Sequence, residues 1–144
     1  MVQDNLKLTG KLQIALNGKV IQETDNLVVT TGKGYVASRI KSDVSGGSAL
    51  MSHMAIGSGS TAAAAANTTL GSELGRVALA STAVSGAIVT YTASFPAGTG
   101  TGAVTEAGVF NASSSGTLLC RTVFSVVNKG AADSITITWT VTVS

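Results

Sequence analysis

Ser134-Ile135-Thr136-Ile137-Thr138-Trp139-Thr140-Val141-Thr142-Val143-Ser144 alternates apolar and hydroxyl side chains without a break. Successive side chains on a strand point to opposite faces, so a period of two predicts a strand with one buried and one wetted face. Trp139 stands at the centre of the buried register and is expected to anchor a core. Working outward, Ala87, Val89, Tyr91, Ala93 and Phe95 alternate with Ile88, Thr90, Thr92 and Ser94. Pro96 and the run Gly98-Thr99-Gly100-Thr101-Gly102 then end that strand. Near the start, residues 12–16 and 20–23 flank Asn17-Gly18, which tolerates positive φ at both turn positions and so predicts a tight hairpin.

Shorter strands are expected over residues 27–30, 52–56, 77–81, 104–110 and 117–127. The last is apolar on both faces, as a strand covered on both sides would be. Helix is scarce: residues 33–42 suit a short one, and residues 69–74 a single turn with Thr69 as cap and Glu73 at a capping-box-like spacing. Residues 57–67 and 45–49 read as flexible loops. The pattern predicts an all-β chain, an antiparallel β-sandwich of jelly-roll type with one or two short helices. Residues 1–144 are expected to form a single β-domain, with 1–25 a charged arm or hairpin and 26–144 the body.

Charge is the next constraint. Only 11 % of the chain is charged, against about 25 % in a typical soluble domain. From Val44 to Ser144 the charged residues are Glu73, Arg76, Glu106, Arg121, Lys129 and Asp133 alone; ten of the sixteen lie in the first 43 residues. Mean hydropathy is +0.40. Charge keeps monomers soluble and strand edges apart. A chain that largely lacks it is expected to cover its surface against other subunits, as a homo-oligomer, trimer or dimer.

The same composition argues against other classes. Nine basic residues form no stripe, and six aromatics are scattered, so no nucleic-acid partner is expected. The low-polarity stretch 62–66 is far too short to span a bilayer, and the first seven residues lack the apolar core of a secretory signal, so a cytosolic origin without a membrane is expected. Cys120 is the single cysteine, excluding an intrachain disulfide, and is expected to be a buried, inert thiol.

Candidate chemistry is thin. His53 is the only histidine. It could pair with Cys120 or a serine, but no orienting group or oxyanion hole is legible, and a strand role beside Met51, Met54 and Ile56 is expected. Gly57-Ser58-Gly59-Ser60-Thr61 and Gly32-Lys33-Gly34 lack the Gly-Lys-Ser/Thr ending or spacing of a phosphate loop and read as turns. No ligand cluster has zinc or calcium spacing. Glu73 and Glu106 are the carboxylates available for glycoside chemistry, and nothing in the sequence sets them across a cleft. The expectation is no enzyme, no cofactor, no metal and no small-molecule substrate. Glu73 and Arg76, three apart, are expected to be neighbours on a helical turn. Glu106 and Arg121 fall on adjacent strand segments. Burying any of these unpaired is costly, so they are expected to pair within the subunit or across an interface, or else to stay exposed.

Taken in order, several pieces resemble a known pattern. Met54-Ala55-Ile56-Gly57-Ser58-Gly59 is followed by Thr69-Leu70-Gly71-Ser72-Glu73-Leu74-Gly75-Arg76-Val77. Then come the Tyr/Phe strand 89–95, Thr105-Glu106-Ala107-Gly108-Val109-Phe110, and Gly116-Thr117-Leu118-Leu119 with Arg121. Lys129 and the strand around Trp139 close the series. From about Asn26 to Ser144 this is similar to bacteriophage tail-collar fibre domains and capsid-decorating β-domains. The resemblance implies a virion structural protein, assembled in the host cytoplasm, and gives Arg76, Glu106 and Arg121 the role of tying loops to strands. Fibre proteins usually continue into a shaft and tip, whereas this sequence stops at Ser144, so the expectation is a capsid decoration (cement) protein. It would bind the outside of the head and stabilise capsomer contacts, with the major capsid protein or another virion protein as partner. A tail, collar or neck fibre-attachment protein and a carbohydrate-binding β-sandwich module are the alternatives.

Overall fold

The computed structural model describes residues 4–40 and 49–144. The hairpin around Asn17-Gly18 forms as expected, joining β1 (Leu8–Leu16) to β2 (Lys19–Val28), with φ of 50° and 82° at its two turn residues. The C-terminal alternation becomes β9 (Ile135–Val143), and the Tyr/Phe segment becomes β6 (Ile88–Phe95). Between the hairpin and β6 lie α1 (Thr30–Ile40), β3 (His53–Gly57), β4 (Glu73–Ala78) and β5 (Ser81–Ser85). β7 (Gly102–Phe110) and β8 (Leu118–Lys129) complete an all-β fold.

All strand pairings are antiparallel, and nine strands join in one sheet of order β4-β3-β7-β8-β2-β1-β9-β6-β5. The sheet curls on itself at two places. β2 pairs with β1 as far as Asn26, then with β8 at Leu27 and Val28. At the other side, β4 and β5 are opposite ends of the strand order yet are joined by only Leu79 and Ala80. The Leu79 amide donates to the Ser52 carbonyl beside β3, and the Ala80 amide to the Thr92 carbonyl of β6. Strands that pass from one layer to another are how β-structures make corners.

Cross-strand partners share a face. The rows Leu12–Trp139–Tyr91 and Ile14–Ile137–Ala93 therefore look inward from one half, and Met54–Val109–Cys120 from the other. These residues form one buried cluster. Residues 8–25 are thus a strand pair in the middle of the sheet, and Leu12 and Ile14 are core residues.

A second, smaller cluster of Val29, Ala55, Leu70, Phe110 and Leu118 lies on the outer face of β3, β7 and β8. It explains the double-sided burial expected for β8: Leu118, Leu119, Cys120, Arg121 and Thr122 are all buried in succession. Beyond Val123 only the inner side is covered, and Val126 is exposed.

Several sequence expectations are corrected. The helix starts at Thr30 rather than residue 33 and takes in Gly32-Lys33-Gly34, which is therefore no turn. At Gly32 a β-carbon would collide with the Leu119 carbonyl, so the missing side chain lets the helix lie on β8. Residues 41–42 of that expected helix, and most of the 45–49 loop, lie outside the described residues. The segment 27–30 is the end of β2 and the start of α1, not a separate strand. Residues 77–81 straddle the corner between β4 and β5, and β5 itself carries no apolar alternation to announce it.

Trp139 is fully buried at the centre of this fold. Trp139→Ala is expected to cost about 3–5 kcal/mol in denaturant unfolding, the usual range for a large core aromatic. As the sole tryptophan, its native emission should be blue-shifted and poorly quenched by acrylamide, and red-shifted, freely quenched emission would contradict the placement.

Candidate functional site

Polar groups of unusual density sit on the outer face of β4, β3, β7 and β8. The register aligns Glu73, Gly57 and Glu106 in one row, and Arg76, Ala55, Gly108 and Arg121 in the next. Small residues between the charged ones leave room for long side chains to lie over the sheet. The fifteen-residue connection 58–72 then closes over them.

Glu106 is completely buried, and its carboxylate accepts five hydrogen bonds. The Gly59 and Ser72 amides reach Oε1 at 2.8 and 2.7 Å, and the Gly71 amide reaches Oε2 at 2.8 Å. Arg121 adds Nε at 3.0 Å and Nη2 at 2.8 Å, both to Oε2. Arg121, only 2 % exposed, also donates to the side-chain oxygen of Asn67 and the Thr61 carbonyl. The Thr105 hydroxyl donates to the Gly59 carbonyl, fixing the loop from a third side. A β-carbon on Gly59 would stand 2.5 Å from the carboxylate, so this contact requires glycine.

The loop expected to be flexible is therefore fastened at Gly59, Thr61, Asn67, Gly71 and Ser72. Residues 69–74 form no helical turn. The Gly71 and Ser72 amides face the Glu106 carboxylate from an irregular segment, and Glu73 already belongs to β4. The glycine-rich segment 57–61 presents one amide, that of Gly59, to an anion, and that anion is a carboxylate of the same chain.

Glu73 and Arg76 do pair, with Nη2 at 2.6 Å from Oε1, although they lie on a strand. The register slips beside Gly57, placing an extra residue, Leu74, in β4. That bulge brings residues three apart onto one face, which a regular strand would not do. Arg76 also donates to the Ala112 and Ser115 carbonyls and stacks 3.8 Å from the centroid of the Phe110 ring. It thereby holds the turn between β7 and β8.

The sequence assigns no partner to Lys129. It is 2 % exposed and donates to the carbonyls of Pro96 at 2.9 Å and Asp133 at 2.6 Å. The Asp133 carboxylate accepts from the Asn17 amide group and the Gly130 amide. The signal was present: Lys129 continues the buried alternation of Val127 on the inner side of β8. All six charged residues of the apolar half are thus partnered within the subunit, and the three cations among them hold loops.

The remaining candidates are not brought together. His53 lies in the row with Phe110 on the outer face, its Nδ1 2.8 Å from the Ser52 hydroxyl, while Cys120 lies on the inner face in the row with Met54 and Val109. Burial pushes the Cys120 thiol well above its ordinary pKa, against a smaller opposing effect of its contact with the Val109 backbone. Glu73 and Glu106 share a row two strand spacings apart, roughly 9–10 Å between backbones, but each is committed to an arginine. Among the described residues no group of three His, Cys, Asp or Glu side chains could hold a metal ion, and no helix is long and apolar enough to cross a membrane. An apolar groove of about 670 Å³ lies between α1 and the ends of β1 and β9, lined by Leu6, Leu8, Val36, Ala37, Ile40 and Val143, with Lys7 and Lys33 on its rim. No protein-family model matches this chain, and no curated protein or solved structure matches it.

Burial pushes the Glu106 carboxyl up, but the amides of Gly71 and Ser72, Arg121 and the Gly59 amide together hold it below its ordinary value of 4.5. A group with a lowered folded pKa contributes stability that is fully present above its unfolded pKa and lost as pH falls through the folded one. Stability is therefore expected to decline on acidification below about pH 4.5, with Glu106 contributing to the slope. Glu106→Gln should flatten that decline and, at neutral pH, lower stability by about 3–5 kcal/mol, the range for breaking a buried pair. Acid titrations of the two proteins by circular dichroism check both statements.

Proposed function

We propose that the protein is a bacteriophage virion structural protein, a capsid decoration subunit that binds the outside of the head and bridges capsomers. The observation that carries this reading is the placement of charge. The six charged residues after Val44 are all partnered within the chain and Glu106, Arg121 and Lys129 are buried, leaving a charge-poor surface of Ser, Thr, Ala and Val with firmly held loops. Such a surface suits packing against other protein subunits better than turnover of a small substrate. The pieces that resemble phage collar and decoration domains also converge in space: residues 54–59, 69–77, 105–110 and Arg121 are the ones that meet around Glu106. In this reading the two halves of the curled sheet serve as the layers of a sandwich; jelly-roll connectivity is not required.

The capsid-facing element is the charged hairpin. Lys11, Glu23 and Asp25 lie exposed on the outer side of β1 and β2, with Lys11 and Glu23 3.1 Å apart. Docking of this face against a capsomer seam would use ion pairs and be weakened by salt. Because Leu12 and Ile14 belong to the core, the test must use substitutions and not deletion of the hairpin. Purified protein added to undecorated capsids should bind in a saturable manner and raise their heat resistance. The pair Lys11→Glu with Glu23→Lys should reduce occupancy several-fold without lowering the melting temperature. Absence of binding to the wild-type protein's own capsids would overturn the reading.

A further inference from the structure

The two edges of the sheet are protected very differently. β4 carries Glu73 and Arg76 and is bulged at Leu74. Charge and a bulge are usual devices that stop an edge from pairing. β5, Ser81-Thr82-Ala83-Val84-Ser85, has none of them. It contains no charged residue and no proline, pairs with β6 in unbroken register, and is exposed along its whole length. Among the described residues nothing pairs with its outer side. Val84 shares the inward-looking face with Val89 yet is 70 % exposed, so the chain's own core does not reach it.

We propose that β5 pairs edge to edge with β5 of a second copy, antiparallel about a two-fold axis at Ala83, extending each sheet into the next subunit. In that register Ser81 faces Ser85 of the other copy, Thr82 faces Val84, and Ala83 faces itself. Each exposed Val84 then gains a β-branched neighbour on its own face, a favourable cross-strand pair. The edge is neutral throughout, so a two-fold pairing opposes no like charges. A charged foreign strand would find no charge to match. A two-fold contact is also closed, which gives a dimer and not a filament. This deepens the virion-subunit reading above and rests on its premise that the protein works as an assembled subunit.

The test exploits the self-facing position. Sedimentation would be run on the wild type, on Ala83→Lys, on Ala83→Glu, and on an equimolar mixture of the two variants, with melting curves confirming that each is folded. The wild type is expected to be dimeric. Each variant alone should weaken association by about tenfold or more, because like charges stand directly opposite, and the mixture should restore it. Independently of any variant, amide exchange at residues 81–85 should slow as wild-type concentration rises. A wild type that stays monomeric at high concentration, or variants that associate as the wild type does, would overturn the proposal. Capsid occupancy measured on the same samples separates the two ideas: monomers that still decorate capsids defeat the β5 contact alone, while β5-linked dimers that ignore capsids defeat the decoration reading alone.

Discussion

A carboxylate removed from water must be given donors, and much of this structure follows from how Glu106 is given five of them. Three are backbone amides of a loop that the sequence would otherwise leave free, and two come from Arg121. To let the loop approach, the sheet beneath is built of Gly57, Ala55 and Gly108, and the loop itself needs Gly59. Leu70 then closes the smaller apolar cluster beside the ion pair. An ion pair buried this way is not in itself a large source of stability, because desolvation offsets most of the attraction. Its effect is to specify one loop conformation, since any other leaves a buried charge without partners.

The same economy recurs at Arg76 and Lys129. Each is a long side chain lying against the sheet, with carbonyls of a turn as its partners. The three cations together secure the β3–β4, β7–β8, β6–β7 and β8–β9 connections. A strand-rich chain with few charges would normally face an aggregation problem at its edges. Here one edge is guarded by charge and a bulge, and the corner at Leu79 and Ala80 removes most of what would be a second gap. β5 is left as the open boundary of the sheet.

The parts of the fold legible in the sequence are those where one residue type repeats at a strand's own period. β9, β6 and the Asn17-Gly18 hairpin follow from alternation and turn chemistry, and Trp139 from its position in the register. The pairing of Glu106 with Arg121 was one of the options that burial costs allowed. What the sequence could not show depends on neighbours distant along the chain. β5 has no apolar face because its inward residues overhang the core. α1 begins early because Gly32 can rest on β8. The segment 69–74 has the composition of a capped turn but is recruited by a carboxylate more than thirty residues away. The Glu73–Arg76 pair was expected from helical spacing and is instead produced by a bulge, which leaves no mark in composition.

The central claim is that the connection 58–72 is held by Glu106 as part of the cooperative fold. Native-state hydrogen exchange at the amides of Gly59, Gly71 and Ser72 tests it most directly. Amides bonded to a buried carboxylate should exchange only through global unfolding, with protection close to that of the β7 and β8 amides. Rapid exchange at these three positions, at neutral pH and with the strands still protected, would contradict the account.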